Sequence, residues 1–234
     1  MPAPPARPPS LLATAWLVAR KDLLIEYRTR SAFLASVVFA LVAVVVFRFS
    51  SDPTAVNPLD LAPGVLWTIF VFSGILGLHR SFGGEQADRA IDALLAAPVA
   101  REALFVGKLV ANFLFVAAVQ LVAIPAVALF YELPVGGGIL AGIFAIAGLA
   151  AVGLVAVGTL FSAMTVNTRL AELLLPMLAL PFFVPVVTPA ALATARLLAG
   201  RPLAEVAGML KLLGSFDLVF LVACTLAFPY TLEE

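Results

Sequence analysis

Long apolar runs separated by short polar breaks dominate this chain, and the runs set the reading of everything between them. Six stand out, at residues 32–47, 61–78, 105–131, 139–164, 173–198 and 216–232. Each reads as a helix that crosses a bilayer, which takes roughly 17–25 predominantly apolar residues. The breaks are compact. Residues 50–60 carry Asp52, Pro53, Asn57 and Pro58, residues 132–138 form a glycine-rich turn, and residues 165–172 form a second short polar loop. Residues 200–215 are expected to be a longer loop with a short helix at 204–213. The predicted fold is an all-α integral membrane protein with six transmembrane helices.

Two polar stretches do not fit the alternation. Residues 1–11 are a proline-rich tail, expected to be disordered, and no signal peptide is apparent before the first apolar run. Residues 12–30 read as an amphipathic helix, with Leu12, Trp16, Ala19, Leu23 and Tyr27 on one face. Arg20, Lys21, Asp22, Glu26, Arg28 and Arg30 fill much of the rest, a pattern suited to the membrane–water interface. The six-span domain then occupies 31–234.

The second stretch is the interruption at 77–98, within a candidate coupling segment at 79–107. Read as a helix from Glu85 to Ala97, it puts Ala87, Ile91, Leu94 and Leu95 on one side. Asp88, Arg89 and Asp92 fall largely on the other. Gly83 and Gly84 are expected to free the chain before this helix, and Pro98 ends it.

Composition agrees with the pattern: 63% of the 234 residues are hydrophobic and 12% charged. Soluble domains carry about 25% charged residues, so water is not the main solvent of this chain. Fourteen basic and fourteen acidic residues cancel, and no basic stripe suits a nucleic acid. Arg7, Arg20, Lys21, Arg28 and Arg30, then Arg80, Arg89, Arg101, Lys108 and Arg169, concentrate on one side of the six spans. The positive-inside rule places that side, with both termini, in the cytoplasm.

Candidate chemistry is sparse. A single Cys224 excludes an intrachain disulfide, and one histidine with one cysteine makes no ordinary zinc site. His79 reads as a residue that snorkels or caps the end of span two rather than a haem ligand. Pro176, Pro181, Pro185 and Pro189 interrupt the donors of span five. They leave two readings open: a bent helix that lines a pathway or pivots, with Pro176, Pro181 and Pro185 as the pivot, and a kinked helix packed on its neighbours. Gly138, Gly142, Gly148, Gly153 and Gly158 in span four point to close helix packing. Glu172 and Asp217 read as acids at helix N-termini, the latter at the outer start of span six. No Walker A loop, HExxH or nucleophile elbow occurs, so the chain is expected to be non-catalytic, with no cofactor or metal of its own.

Residues 61–67 (Leu-Ala-Pro-Gly-Val-Leu-Trp), the 85–98 segment, Gly107-Lys108-Leu109 and the proline-rich 174–181 resemble the permease, component B, of the cytochrome c maturation system (the haem exporter B family, ABC-2 type). The resemblance covers the chain beyond the tail. It implies a bacterial inner-membrane protein that forms a homodimer in an A2B2 core with a cytoplasmic ATPase, component A, which holds the ATP. It also implies membrane components C and D and a haem chaperone, component E. Haem is then handled by the complex, and the haem-loaded chaperone is released by ATP hydrolysis. The coupling helix between spans two and three carries Glu85, Asp88, Arg89, Asp92 and Leu94 toward the ATPase. The tryptophan-rich motif of the system's haem-handling membrane component is absent; Trp16 and Trp67 are the two tryptophans. Two alternatives stand beside this: an ABC-2 permease exporting a lipid, glycan or drug, and a non-transporting scaffold for the haem-handling component.

Overall fold

A computed structural model describes residues 10–52, 56–87, 100–134, 136–166, 168 and 170–231. These residues form seven helices: α1 (Leu11–Thr29), α2 (Ser31–Ser50), α3 (Pro58–Ala87), α4 (Arg101–Phe130), α5 (Gly137–Thr165), α6 (Ala171–Leu198) and α7 (Leu203–Thr231). Helices α2 to α7 are long and apolar enough to cross a membrane, and α1 is not. Three physical effects favour this arrangement. Apolar side chains leave water without penalty, helices satisfy their own backbone groups in lipid, and the short polar turns return the chain.

Helix α3 is the axis of the bundle. In its apolar stretch Pro58–His79, 72% of the most apolar window is buried, against 22–50% for the other five. It packs on α2, α4, α5 and α6, while α5 also meets α6 and α7, and α1 lies along α4. Polar cross-links are few and specific. Trp67 Nε1 donates to Thr194 Oγ1 of α6 at 3.1 Å, and Gln120 Nε2 of α4 donates to the Ala147 carbonyl of α5 at 3.1 Å. Each settles a buried polar group that hydrocarbon could not solvate.

The junction of α1 with α2 turns on one residue. Arg30 adopts a left-handed φ of 53°, its N–H donates to the Glu26 carbonyl at 2.7 Å, and Glu26 Oε1 accepts the Phe33 N–H at 2.8 Å. One carboxylate thereby serves a donor in the first turn of α2, where the helix dipole favours negative charge.

Several expectations change. Residues 203–213 are not a loop element but the start of α7, because Gly200, at φ 72°, and Pro202 complete the turn from α6 within a few residues. Val206 and Leu213 bury one face of that start, which holds it in the helix despite its modest apolarity. Gly83 and Gly84 do not release the chain either: α3 stays helical to Ala87. Two glycines cost a helix only about 1 kcal/mol each, too little by itself to end one. His79 therefore sits two turns inside α3 and caps no helix end; its Nε2 is buried, without a hydrogen-bond partner among the described residues. Asp217 is no N-terminal acid but the middle residue of the 29 in α7.

Candidate functional site

The first half of the polar interruption is held inside the bundle, at the end shared by α1, the close of α3 and the beginning of α4. Five contacts hold α3 between Gly77 and Phe82. Gly77 leaves room for the Phe115 ring of α4, and a side chain there would occupy the ring's space. Leu78 fits into the gap at Gly158 of α5, and its carbonyl accepts from Ser162 Oγ at 2.8 Å. Ser81 Oγ accepts from Asn112 Nδ2 at 3.0 Å, and the same amide donates to Thr159 Oγ1 at 2.9 Å. Finally, the Ser81 carbonyl accepts from Lys108 Nζ.

Lys108 is the polar centre of this joint. Grouped in the sequence with the cations of the cytoplasmic side, it is buried in α4, its side chain 3% exposed. Its ammonium lies 3.2 Å from Asp22 Oδ2 of α1 and 4.5 Å from the centroid of the Phe82 ring. A buried ammonium is tolerated only when its charge is met and its protons are shared, and here a carboxylate, a carbonyl and an aromatic face do so. The Asp22 side chain is 18% exposed and also pairs with Lys21 at 3.1 Å. Phe82 reaches on toward Phe228 of α7, 6.2 Å between centroids, and Phe105 meets Phe228 at 5.1 Å. Arg101 Nη1 adds a bond to the Pro229 carbonyl at 2.9 Å. One short stretch of α3 thus touches α4, α5 and α7 directly and α1 through Lys108.

Gly107 explains how α1 comes close enough. A Cβ there would stand 2.6 Å from the Ala15 carbonyl oxygen and 2.7 Å from Val18 Cβ, so only glycine lets the two backbones approach. The Gly107-Lys108 pair therefore does two jobs at one place, close contact and charge pairing with α1. In the sequence Lys108 stood out by its charge and as part of the Gly107-Lys108-Leu109 stretch. Its helical distance from Asn112, four residues on, was the available signal that the two share a face.

The expected coupling residues are distributed unevenly. Glu85 lies on the last turn of α3, whereas Asp88, Arg89, Asp92 and Leu94 fall outside the described residues. Pro176, Pro181, Pro185 and Pro189 all lie in α6, which stays helical through them. Of the α5 glycines, Gly142 packs on Leu197, Gly153 on Asp217 and Val186, and Gly158 on Leu78, while Gly138 and Gly148 face open space. At the opposite end Arg48 Nε donates to the Phe130 carbonyl at 2.9 Å. Among the described residues, no group of three or more metal-ligating side chains occurs.

Five apolar helices around a sixth, central one, with a polar joint at one end, define a multi-pass membrane protein. The family model described as CcmB protein matches residues 13–234, so the chain belongs to the CcmB family. Its relatives carry the name Heme exporter protein B. That of Paracoccus denitrificans is 30% identical over 208 residues, 88% of this chain and 89% of its own length. That of Rhodobacter capsulatus is 29% identical over 165 residues, 70% and 75% of the two chains. That of Escherichia coli K12 is 26% identical over 99 residues, 42% and 45%.

Proposed function

We propose that this chain is the permease subunit of an ABC-2 type transporter complex that serves cytochrome c maturation in the bacterial inner membrane. Both termini and the 79–107 segment face the cytoplasm in this reading, as the arginine and lysine bias requires. The observation that carries it is the joint at Gly77–Phe82. Helix α3 runs on past its apolar stretch as a helical lever to Ala87, and the joint fixes that lever to α4, α5, α7 and α1. A push on the segment after Ala87 is then delivered to the bundle axis rather than absorbed by a loose loop. The push comes from a separate ATPase that binds ATP, docked through Glu85, Asp88, Arg89, Asp92 and Leu94. Carboxylates there pair with basic groups of the ATPase, each exposed contact being worth about 0–1 kcal/mol.

Two copies of this chain with two ATPase chains make the working core. Membrane components C and D and the haem chaperone E complete the complex, which handles haem and releases the loaded chaperone. The names of the relatives support haem as the handled species. In α6, Pro176, Pro181 and Pro185 serve as the pivot, since each proline removes one rung of the helix ladder and lowers the cost of bending.

Affinity purification of the tagged chain from its native membranes tests the docking. The wild type is expected to bring down a nucleotide-binding protein in near-equal amount, and Asp88→Arg with Asp92→Arg to lose most of it while still inserting. Undiminished recovery with the double variant would remove the docking assignment.

A further inference from the structure

Asp217 takes no part in the joint, and its setting is unlike that of any other acid among the described residues. It stands fourteen residues from either end of α7, about 21 Å along the axis each way. The residue is 5% exposed, and neither carboxyl oxygen has a hydrogen-bond partner among the described residues. Oδ1 abuts the backbone at Gly153 of α5, whose missing side chain makes the space that the carboxyl fills, with Val186 of α6 beside it.

Among the described residues no cation faces it from the packed helices. Helix α5 contains no ionisable side chain at all; those of α6 are Glu172 and Arg196, at its two ends; those of α4 are Arg101, Glu102 and Lys108, in its first eight residues. On α7 itself Lys211 is exposed more than a turn away, and the buried Cys224 lies two turns along the same face. An ionised carboxylate left unpaired in such surroundings costs several kcal/mol, far more than its neutral acid, and an acid within a membrane span marks function by default.

We propose that Asp217 is a proton-binding site inside the helix bundle: its carboxyl is carried neutral in this conformation and ionises only when α7 moves away from Gly153. The bond that breaks is the carboxyl O–H, and the proton passes to water admitted by that movement. The α5–α7 contact is then a two-state element: closed with the proton on, open with the proton off. Its opening is independent of whether haem or another species is the cargo.

Infrared difference spectroscopy of the full chain in lipid, wild type against Asp217→Asn, decides the matter. Asparagine keeps the shape of the neutral acid, so the packing at Gly153 is retained. The expected difference at neutral pH is the loss of one protonated-acid carbonyl band with no loss of carboxylate bands. Loss of carboxylate bands instead would overturn the proposal. If the variant does not fold, wild type labelled with carboxyl-13C aspartate gives the same answer alone. An isotope-shifted protonated-acid band at neutral pH is expected, and its absence would sink the idea.

Discussion

At the residue scale, the Asp22–Lys108 pair shows how exposure sets the cost of a buried charge. Lys108 is almost fully enclosed, whereas Asp22 keeps some water and a second cation, Lys21. Removing the carboxylate is therefore expected to hurt more than removing the ammonium. Asp22→Leu should lower stability by about 3 kcal/mol, at the low end for a broken buried pair, and Lys108→Leu by distinctly less. Thermal unfolding of the purified variants in one detergent checks the order, and an equal or reversed ranking would contradict it. Little of this was legible in the sequence. A lysine near the predicted start of a span looks like any loop cation, and only the fold brings residues 22, 81 and 108 together. His79 and Asp217 were misplaced for a related reason: apolarity alone does not say where a helix ends. Hydrogen bonding carries a helix past the last greasy residue, so both side chains lie well inside elements whose ends they were expected to mark.

At the scale of elements, the hydrophobic pattern revealed the six spans because apolar length is a direct consequence of bilayer thickness. It failed where a helix continues outside that criterion. Gly83 and Gly84 look like a break, yet α3 passes through them; Lys211, Gly208 and Gly214 look like a loop, yet Val206 and Leu213 anchor them in α7. Glycine in α5 could be recognised as packing, but not which glycine. The contrast is testable. Gly107→Ala sets a methyl 2.6 Å from the Ala15 carbonyl, and a backbone atom cannot step aside as a side-chain tip can. A loss of about 1–3 kcal/mol is expected, with α1 shifted off α4. Gly148→Ala meets nothing within 4 Å and should be neutral, or stabilising by up to about 1 kcal/mol. A cysteine pair across α1 and α4 reports the shift: cross-linking should fall in Gly107→Ala and stay unchanged in Gly148→Ala. Helix α6 offers a second test. If its prolines form the pivot, Pro181→Ala with Pro185→Ala stiffens the helix and should cut activity while protein levels in the membrane hold. Full activity would leave those prolines a packing role alone.

At the scale of the molecule, the buried axis α3 is tied at one end to four other helices, the arrangement on which the proposed drive by a separate ATPase rests. Under that proposal, a push on the chain beyond Ala87 reaches the axis through the joint at Gly77–Phe82. The family was readable from sequence through residues 61–67, 85–98, Gly107-Lys108-Leu109 and 174–181, which carry the resemblance. The structure supplies a physical reason for part of that pattern, since Trp67 is pinned to Thr194 and Gly107-Lys108 seats α1.

The most direct measurement is a haem stain of c-type cytochromes in a strain lacking this gene, complemented with the wild type or with Asp88→Arg and Asp92→Arg together. The account predicts loss of stained cytochromes in the deletion, full recovery with the wild type and little recovery with the double variant. Normal haem-stained cytochromes in the deletion strain would contradict it.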